Sequence, residues 1–242
     1  MPRFFVDSLI HDEFTLDGEN ASHAIRSLRM KKGEELTLCD GNKNDYVFTI
    51  ADIQNDTLRL KLLEKKENIS ECPIKITLFQ CLPKGDKMDL IVQKSVELGV
   101  CEIVPVMSSR CITKYNGKED KKITRLNKIC LEAAKQSGRG VIPLVQSPIT
   151  FNESIENSKG LKILFYENGG EEFATIVSKT KNYSEISIFI GPEGGFSSEE
   201  VAFASNNDCI IASLGNRILR TETASLCALS IMTYEVEKLW RS

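Results

Sequence analysis

The chain has 242 residues, a formal net charge of −3 and 41% hydrophobic residues. That length suits one large domain or two unequal ones, with ample core. No apolar run approaches a membrane span, and the opening Met1-Pro2-Arg3-Phe4-Phe5 lacks the long apolar region of a signal peptide.

The 8 cysteines are Cys39, Cys72, Cys81, Cys101, Cys111, Cys130, Cys209 and Cys227. An even number admits disulfides, but several sit in strand or helix patterns, no Cys-x-x-Cys occurs and His numbers only 2. They read as buried reduced thiols of a cytosolic protein, with no zinc site and a cytoplasmic location expected.

In chain order, Arg3-Phe4-Phe5-Val6 predicts a strand, and Asp17 to Met30 a helix ended by Gly33. His23, Arg26 and Arg29 recur every three residues, so they share one face of that helix. Strands then follow in a hairpin rhythm: Glu35 to Cys39, a turn at Asp40-Gly41-Asn42, Tyr46 to Ile53, a turn at Asn55-Asp56, and Leu58 to Leu63. The charged stretch Glu64-Lys65-Lys66-Glu67-Asn68, followed by Cys72-Pro73, reads as a linker, so a domain boundary is expected near residue 72. Residues 1–72 carry 10 basic and 14 acidic side chains. Any contact with a polyanion there must come from a local cluster such as Arg3, His23, Arg26 and Arg29 rather than from bulk charge. A solvated helix face is the plainer account of the same residues.

From Ile74 the pattern changes to alternating strand and helix, which predicts a parallel sheet. Ile74 to Cys81 is a strand, followed by Pro83-Lys84-Gly85-Asp86-Lys87. A helix with Met88, Ile91, Val92 and Val96 on one face ends at Gly99, and Glu102 to Val106 is a strand. Asp120 to Ser137 is a long helix with Ile123, Leu126, Cys130, Ala133 and Ala134 inward. Arg125, Glu132, Gln136 and Arg139 return to one outer stripe of it. Residues 84–139 hold 12 basic and 7 acidic side chains, a surface that suits phosphate contacts as well as a hydrated face with internal ion pairs. Pro143 to Pro148 is irregular, Leu161 to Phe165 is a strand, and Tyr166-Glu167-Asn168-Gly169-Gly170 is a loop at its end.

The densest signal lies between Ile186 and Ala228. Ser187-Ile188-Phe189-Ile190 is a buried strand that stops at Gly191-Pro192-Glu193-Gly194-Gly195. Ser197 with Glu200 three residues on is a capping box, so a helix starts there. Gly194 and Gly195 therefore precede a helix N-terminus, where free backbone N–H groups can meet a ligand. Cys209 to Leu214 is a second strand, followed by the loop Gly215 to Ala224 and a last helix to about Trp240. Two loops thus leave one sheet at the edge where open α/β sheets bind ligands. The glycine loop is neither a Walker A motif nor a Gly-x-Gly-x-x-Gly fingerprint. A tight turn whose glycines only serve positive φ stays open beside a ligand loop.

Ile190-Gly191-Pro192-Glu193-Gly194-Gly195-Phe196 and Leu214-Gly215-Asn216-Arg217-Ile218-Leu219-Arg220-Thr221-Glu222-Thr223-Ala224 resemble the signature loops of the ribosomal RNA small subunit methyltransferase E family, a branch of the SPOUT methyltransferases. Supporting matches reach the N-terminus, so the resemblance covers essentially the whole chain. It implies an α/β fold: a SPOUT-type trefoil-knotted parallel-sheet domain over residues 73–242, preceded by a small PUA-like, RNA-binding β-barrel domain over residues 1–72. It further implies a homodimer, S-adenosyl-L-methionine as cofactor, and methylation of N3 of a uridine in small-subunit (16S) ribosomal RNA, free or in an assembly intermediate, with no membrane and no metal. By that resemblance the cofactor pocket is lined by Phe165, Tyr166, Glu167, Ile190, Gly191, Pro192, Glu193, Gly194, Gly195, Leu214, Gly215, Ile218, Leu219, Arg220, Thr221, Thr223 and Ala224. RNA contacts are expected from Arg3, His23, Arg26, Arg29, Lys84, Arg110, Arg125, Gln136 and Arg139, and substrate or dimer contacts from Glu132.

A sulfonium methyl is already electrophilic, so the protein need supply only placement and a dry site. The uridine N3 proton must leave, which makes Glu193 and Glu222 candidate bases and Arg220 the candidate cation for a uridine anion. Both carboxylates also sit near helix starts, where they complement the macrodipole. Two other classes remain: a non-catalytic RNA-binding protein of the ribosome, and an enzyme that holds nucleotide phosphate at Gly191–Gly195, against which the missing P-loop lysine counts.

Overall fold

The computed structural model describes residues 1–112 and 120–241. It divides into two compact units: Met1–Glu71 with Ala134–Ile142, and Cys72–Ala133 with Pro143–Ser242.

The smaller unit is built from β1 (Arg3–Phe5), β2 (Glu13–Leu16), α1 (Gly18–Ser22), β3 (Glu35–Cys39), β4 (Asn44–Gln54) and β5 (Thr57–Glu67). Their order in one sheet is β1-β3-β4-β5-β2, with β1 parallel to β3 and the other pairs antiparallel. The edge strands β1 and β2 do not pair, so the expected barrel is an open sheet. Its core gathers Phe4, Leu16, Leu36, Leu38, Phe48, Ile50 and Leu58, all nearly or fully buried.

Three expectations are corrected in this unit. β2 precedes the helix, where no strand was predicted. The charged run Glu64–Glu67 is not linker but the end of β5, because Asn44–Val47 of β4 pair with it; ladder hydrogen bonds override its polar composition. The helix does not run to Met30. After Ser22 it widens into a π-helical turn over His23–Ser27, and Arg29 lies beyond it at φ +55°. Arg26 and Arg29 therefore do not share a helical face.

Two expected RNA contacts are corrected as well. Arg3 forks onto Asp45, Nη1 to Oδ1 at 2.6 Å and Nη2 to Oδ2 at 2.7 Å, and its Nη1 also donates to the Arg139 carbonyl at 3.2 Å. Burial opposes ionisation of Asp45, but hydrogen bonds from Arg3 and Asn68 outweigh it and lower the pKa. Arg139 is 2% exposed and pairs with Glu71, Nη2 to Oε2 at 2.6 Å and Nε to Oε1 at 3.2 Å. Both guanidiniums are committed to carboxylates inside the unit and are not presented to a phosphate.

The larger unit comprises β6 (Lys75–Cys81), α2 (Lys87–Glu97), β7 (Glu102–Met107), α3 (Asp120–Ser137), β8 (Leu144–Val145), β9 (Ile149–Thr150), α4 (Phe151–Asn157), β10 (Leu161–Phe165), β11 (Glu171–Glu172), α5 (Phe173–Val177), β12 (Glu185–Ile190), α6 (Ser198–Asn206), β13 (Ile210–Ser213) and α7 (Thr221–Arg241). The last turn of α3 belongs to the smaller unit. The sheet order is β11-β13-β10-β12-β6-β7-β8, with β9 also on β7, and every pair is parallel. Parallel sheets are covered on both faces, which is why these strands read as continuous apolar runs. Phe79 of β6 stacks on Phe189 of β12 at 4.6 Å, as their register dictates. The segment 143–148, expected to be irregular, contains β8. All eight cysteines are free. Among the described residues no helix is long and apolar enough to cross a membrane.

Candidate functional site

Strand register decides where the site lies. Phe165, the last residue of β10, is level with Ile190, the last of β12, and with Ala212 near the end of β13. Three adjacent strands therefore finish at one edge, and the loops after Phe165, Ile190 and Ser213 leave it side by side. They enclose a cleft of about 380 Å³, within the range of roughly 300–1,000 Å³ common for small-molecule sites. Its walls come from residues 165–167, 190–195, 213–215, 217–221 and Ala224. Every residue expected to line a pocket does so except Thr223, which is exposed on the first turn of α7. Ser213 and Arg217 line it without having been anticipated.

The glycine loop is held from beneath by a buried polar strut. Thr221 Oγ1 donates to the Gly191 carbonyl at 2.7 Å and accepts from Gln80 Nε2 at 2.9 Å. Gln80 Oε1 accepts from Ser225 Oγ, and Gln80 Nε2 also donates to the Cys81 carbonyl at 2.9 Å. Gln80 and Ser225 are fully buried. Buried polar groups joined in this way have one low-energy arrangement, so the end of β6 and the start of α7 together fix the loop. The far side is fixed by the capping box. Ser197 Oγ accepts from the Glu200 amide at 3.2 Å, and Glu200 Oε2 accepts from the Ser197 amide at 2.9 Å. The other oxygen, Glu200 Oε1, accepts from the Ser109 amide at 2.7 Å, and Arg110 Nη1 donates to the Gly194 carbonyl at 2.8 Å. Gly195 sits at φ +65°, where a Cβ would fall 2.1 Å from Glu167 Oε1.

Charge collects on the side of the cleft facing α2. Lys87 Nζ donates to Glu193 Oε1 at 2.9 Å and lies 3.3 Å from Glu222 Oε2. The Lys84 amide donates to Glu193 Oε1 at 3.1 Å. Burial works against ionised Glu193, but the Lys87 hydrogen bond and the backbone amides prevail and lower its pKa. Hydrogen bonding to Glu193 is the largest influence on Lys87, and it raises that pKa. Arg220 is exposed and lines the cleft. Nothing local in sequence marks Lys87, because its partner Glu193 lies 106 positions later.

The remaining expected RNA contacts are exposed side chains. In the larger unit these are Lys84, Arg110 and Arg125, the last forked onto Asp89 with Nη2 to Oδ1 at 2.8 Å. In the smaller unit they are His23, which packs edge-on to Phe4 at 6.2 Å, Arg26, which pairs with Asp56 at 2.7 Å, Arg29 and Gln136. Glu132 is exposed on α3. The stripe expected along α3 loses Arg139, which follows the helix and is buried.

A family model described as an RNA methyltransferase domain matches residues 70–233, and one described as an RNA methyltransferase PUA domain matches residues 16–63. The ribosomal RNA small subunit methyltransferase E of Bacillus subtilis is 33% identical over 93% of this chain and 91% of its own. That of Mesomycoplasma hyopneumoniae is 31% identical over 95% of this chain and 98% of its own. Among solved structures, a ribosomal RNA small subunit methyltransferase E from Neisseria gonorrhoeae bound to S-adenosyl methionine superposes with a TM-score of 0.87, at 32% identity over 97% of each chain.

Proposed function

Because the chain belongs to the ribosomal RNA small subunit methyltransferase E family, we propose that it methylates N3 of a uridine in small-subunit (16S) ribosomal RNA, in the cytoplasm, using S-adenosyl-L-methionine. The observation that carries this reading is the three-loop cleft at the carboxyl edge of β10, β12 and β13. Its chemistry fits that cofactor. Glycine-rich backbone supplies N–H and C=O groups for an adenine edge, Phe165, Ile190, Leu214 and Leu219 supply apolar walls, and Glu167 and Glu193 supply negative charge beside a cationic ligand.

When bound, the cofactor supplies a methyl group on a sulfonium, so neither a metal nor a protein nucleophile is required. This chain's residues contribute position and electrostatics. The loops at 190–195 and 213–221 hold the ligand, and Arg220 on the cleft lip stabilises the uridine anion left when the N3 proton departs. Glu193, in the wall of the cleft, and Glu222, in the first turn of α7, are the candidate acceptors of that proton. Lys87 and the backbone amides hold Glu193 below its ordinary pKa, which favours its ionised, proton-accepting form. RNA is gripped through Lys84, Arg110, Arg125, His23, Arg26, Arg29 and Gln136. The two exposed ion pairs among them are worth little in water, so a phosphate can replace the carboxylate at small cost.

The test is calorimetric titration with S-adenosylhomocysteine, with ATP as control, followed by single-turnover methylation of ribosomal RNA and mapping of the modified base. Binding of the former alone and a methyl group at uridine N3 are expected. Arg220→Ala at saturating cofactor should lose about 100-fold in rate. Rates near wild type for Glu193→Gln and Glu222→Gln would remove both as bases. A folded protein that binds no S-adenosylhomocysteine would refute the reading.

Family membership also supports a trefoil knot and a homodimer. The strand order suits threading, since the chain returns past β12 to place β13 on the far side of β10. Sedimentation equilibrium should give twice the chain mass of 27.1 kDa; a monomer at micromolar concentration would reject the dimer.

A further inference from the structure

One ammonium group holds two carboxylates, Glu193 in the wall of the cleft and Glu222 just behind it. Glu193 stands in the glycine loop and Glu222 in the first turn of α7, the helix that follows the third loop of the site. Lys87, the first residue of α2, reaches Glu193 Oε1 at 2.9 Å and Glu222 Oε2 at 3.3 Å. Glu222 Oε2 is buried and has no aligned hydrogen bond among the described residues, which leaves the Lys87 charge to offset its loss of water. Glu193 is further anchored by the Lys84 amide, two residues before α2's own cap at Asp86. Without a cation between them, two carboxylates converging on one point would push the glycine loop away from the start of α7.

We propose that Lys87 is a positioning residue that clamps the 191–195 loop to the first turn of α7 and so sets the width of the cofactor cleft. The inference rests on the methyltransferase reading above and adds to it a residue that does not line the cleft. The same loop and helix are already joined underneath by the Thr221–Gly191 hydrogen bond. Lys87 closes the opposite, more exposed side, with the lysine 30%, Glu193 29% and Glu222 16% exposed. Partial exposure screens the pair, so a moderate effect is expected rather than collapse of the site.

The experiment is titration of S-adenosylhomocysteine into wild type, Lys87→Met, Lys87→Arg, Glu193→Gln and the Lys87→Met/Glu193→Gln double variant, with melting curves for each. Lys87→Met should weaken binding about tenfold, and Lys87→Arg should restore it to within about threefold, because Arg can bridge the same two carboxylates. Glu193→Gln breaks the clamp from the other side and should cost a similar factor. The double variant should bind no worse than Lys87→Met, since Glu193→Gln removes a contact that the loss of the ammonium has already removed. In turnover of Lys87→Met, KM for the cofactor should rise about tenfold while KM for RNA and kcat at saturation stay within about twofold. Lys87→Met binding like wild type would overturn the proposal, as would additive losses in the double variant. If Lys87→Met does not fold, Lys87→Arg and Glu193→Gln still decide. A wild type that binds no S-adenosylhomocysteine would overturn the underlying reading as well, so the two failures are told apart by the wild-type titration.

Discussion

Gly195→Val is expected to abolish detectable binding of S-adenosylhomocysteine, with a loss of more than about 100-fold, while leaving the melting temperature close to wild type. Two independent costs meet at this position. The backbone is left-handed, at φ +65°, which a β-branched residue adopts at a cost of about 1–2 kcal/mol. A Cβ there would also lie 2.1 Å from Glu167 Oε1 and 2.7 Å from its Cδ. Glu167 is an exposed side chain and can swing aside, but it lines the same cleft, so relieving the clash reshapes the site. Alternatively the loop relaxes to negative φ, and the Gly195 amide gives up its 3.0 Å bond to the Pro192 carbonyl. Either route alters the wall on which the proposed function depends, and overpacking adds about 1–3 kcal/mol. The unliganded loop sheds this strain by relaxing and takes it up again to bind, so about 3 kcal/mol appears as roughly 100-fold in affinity rather than as lost stability. Gly195→Ala, which bears the φ cost and the first carbon of the clash but no branch, should fall between. Unchanged affinity in Gly195→Val would place the ligand elsewhere.

How much of this was legible in the sequence depended on how local the determining interactions are. The capping box Ser197–Glu200 is written in four residues and appears in the structure with both of its bonds. The strands around residues 75–81, 102–107, 161–165 and 185–190 are announced by apolar runs between turn residues. Helix α4 begins with the same signature, Thr150 to Glu153, whose reciprocal bonds are present, so its start too is written locally in the sequence. β2 was hidden because Glu13-Phe14-Thr15-Leu16 is too short to show a period. The π-helical turn at His23–Ser27 has no sequence rule to reveal it. The fates of the basic residues were least legible. Arg3, Arg26, Arg125 and Arg139 look alike in sequence, yet partners 30 to 68 positions distant decide that Arg139 is a buried strut, Arg3 a half-buried one, and the other two exposed. Long-range pairing also produced the Lys87 clamp and the Gln80–Thr221–Ser225 strut. The sequence could place the loops of the site, but not what holds them.

Glu71→Ala is expected to destabilise the smaller unit by about 3–5 kcal/mol, a large share of the roughly 5–15 kcal/mol that keeps a typical protein folded. Among the described residues Glu71 accepts four hydrogen bonds. Two come from Arg139, at 3.2 Å and 2.6 Å, and two from the amides of Gly140 and Val141, at 3.0 Å and 3.2 Å. The side chains are 7% and 2% exposed, so water cannot readily replace a missing carboxylate. The segment it holds, Ala134–Ile142, is the part of the smaller unit that is separate in sequence from Met1–Glu71, so this one carboxylate joins two distant stretches of chain. Glu71→Gln keeps an acceptor for the amides and should cost less, about 1–3 kcal/mol. The discriminating variant is Glu71→Leu/Arg139→Met. If the loss in Glu71→Ala comes from stranding a buried cation, removing both charges should recover most of it, because well-packed apolar replacements of buried pairs are often neutral or stabilising. Urea unfolding of the four proteins supplies the measurement. A cost under about 1 kcal/mol for Glu71→Ala would show that water reaches the guanidinium, and Arg139 would return to the residues able to meet RNA.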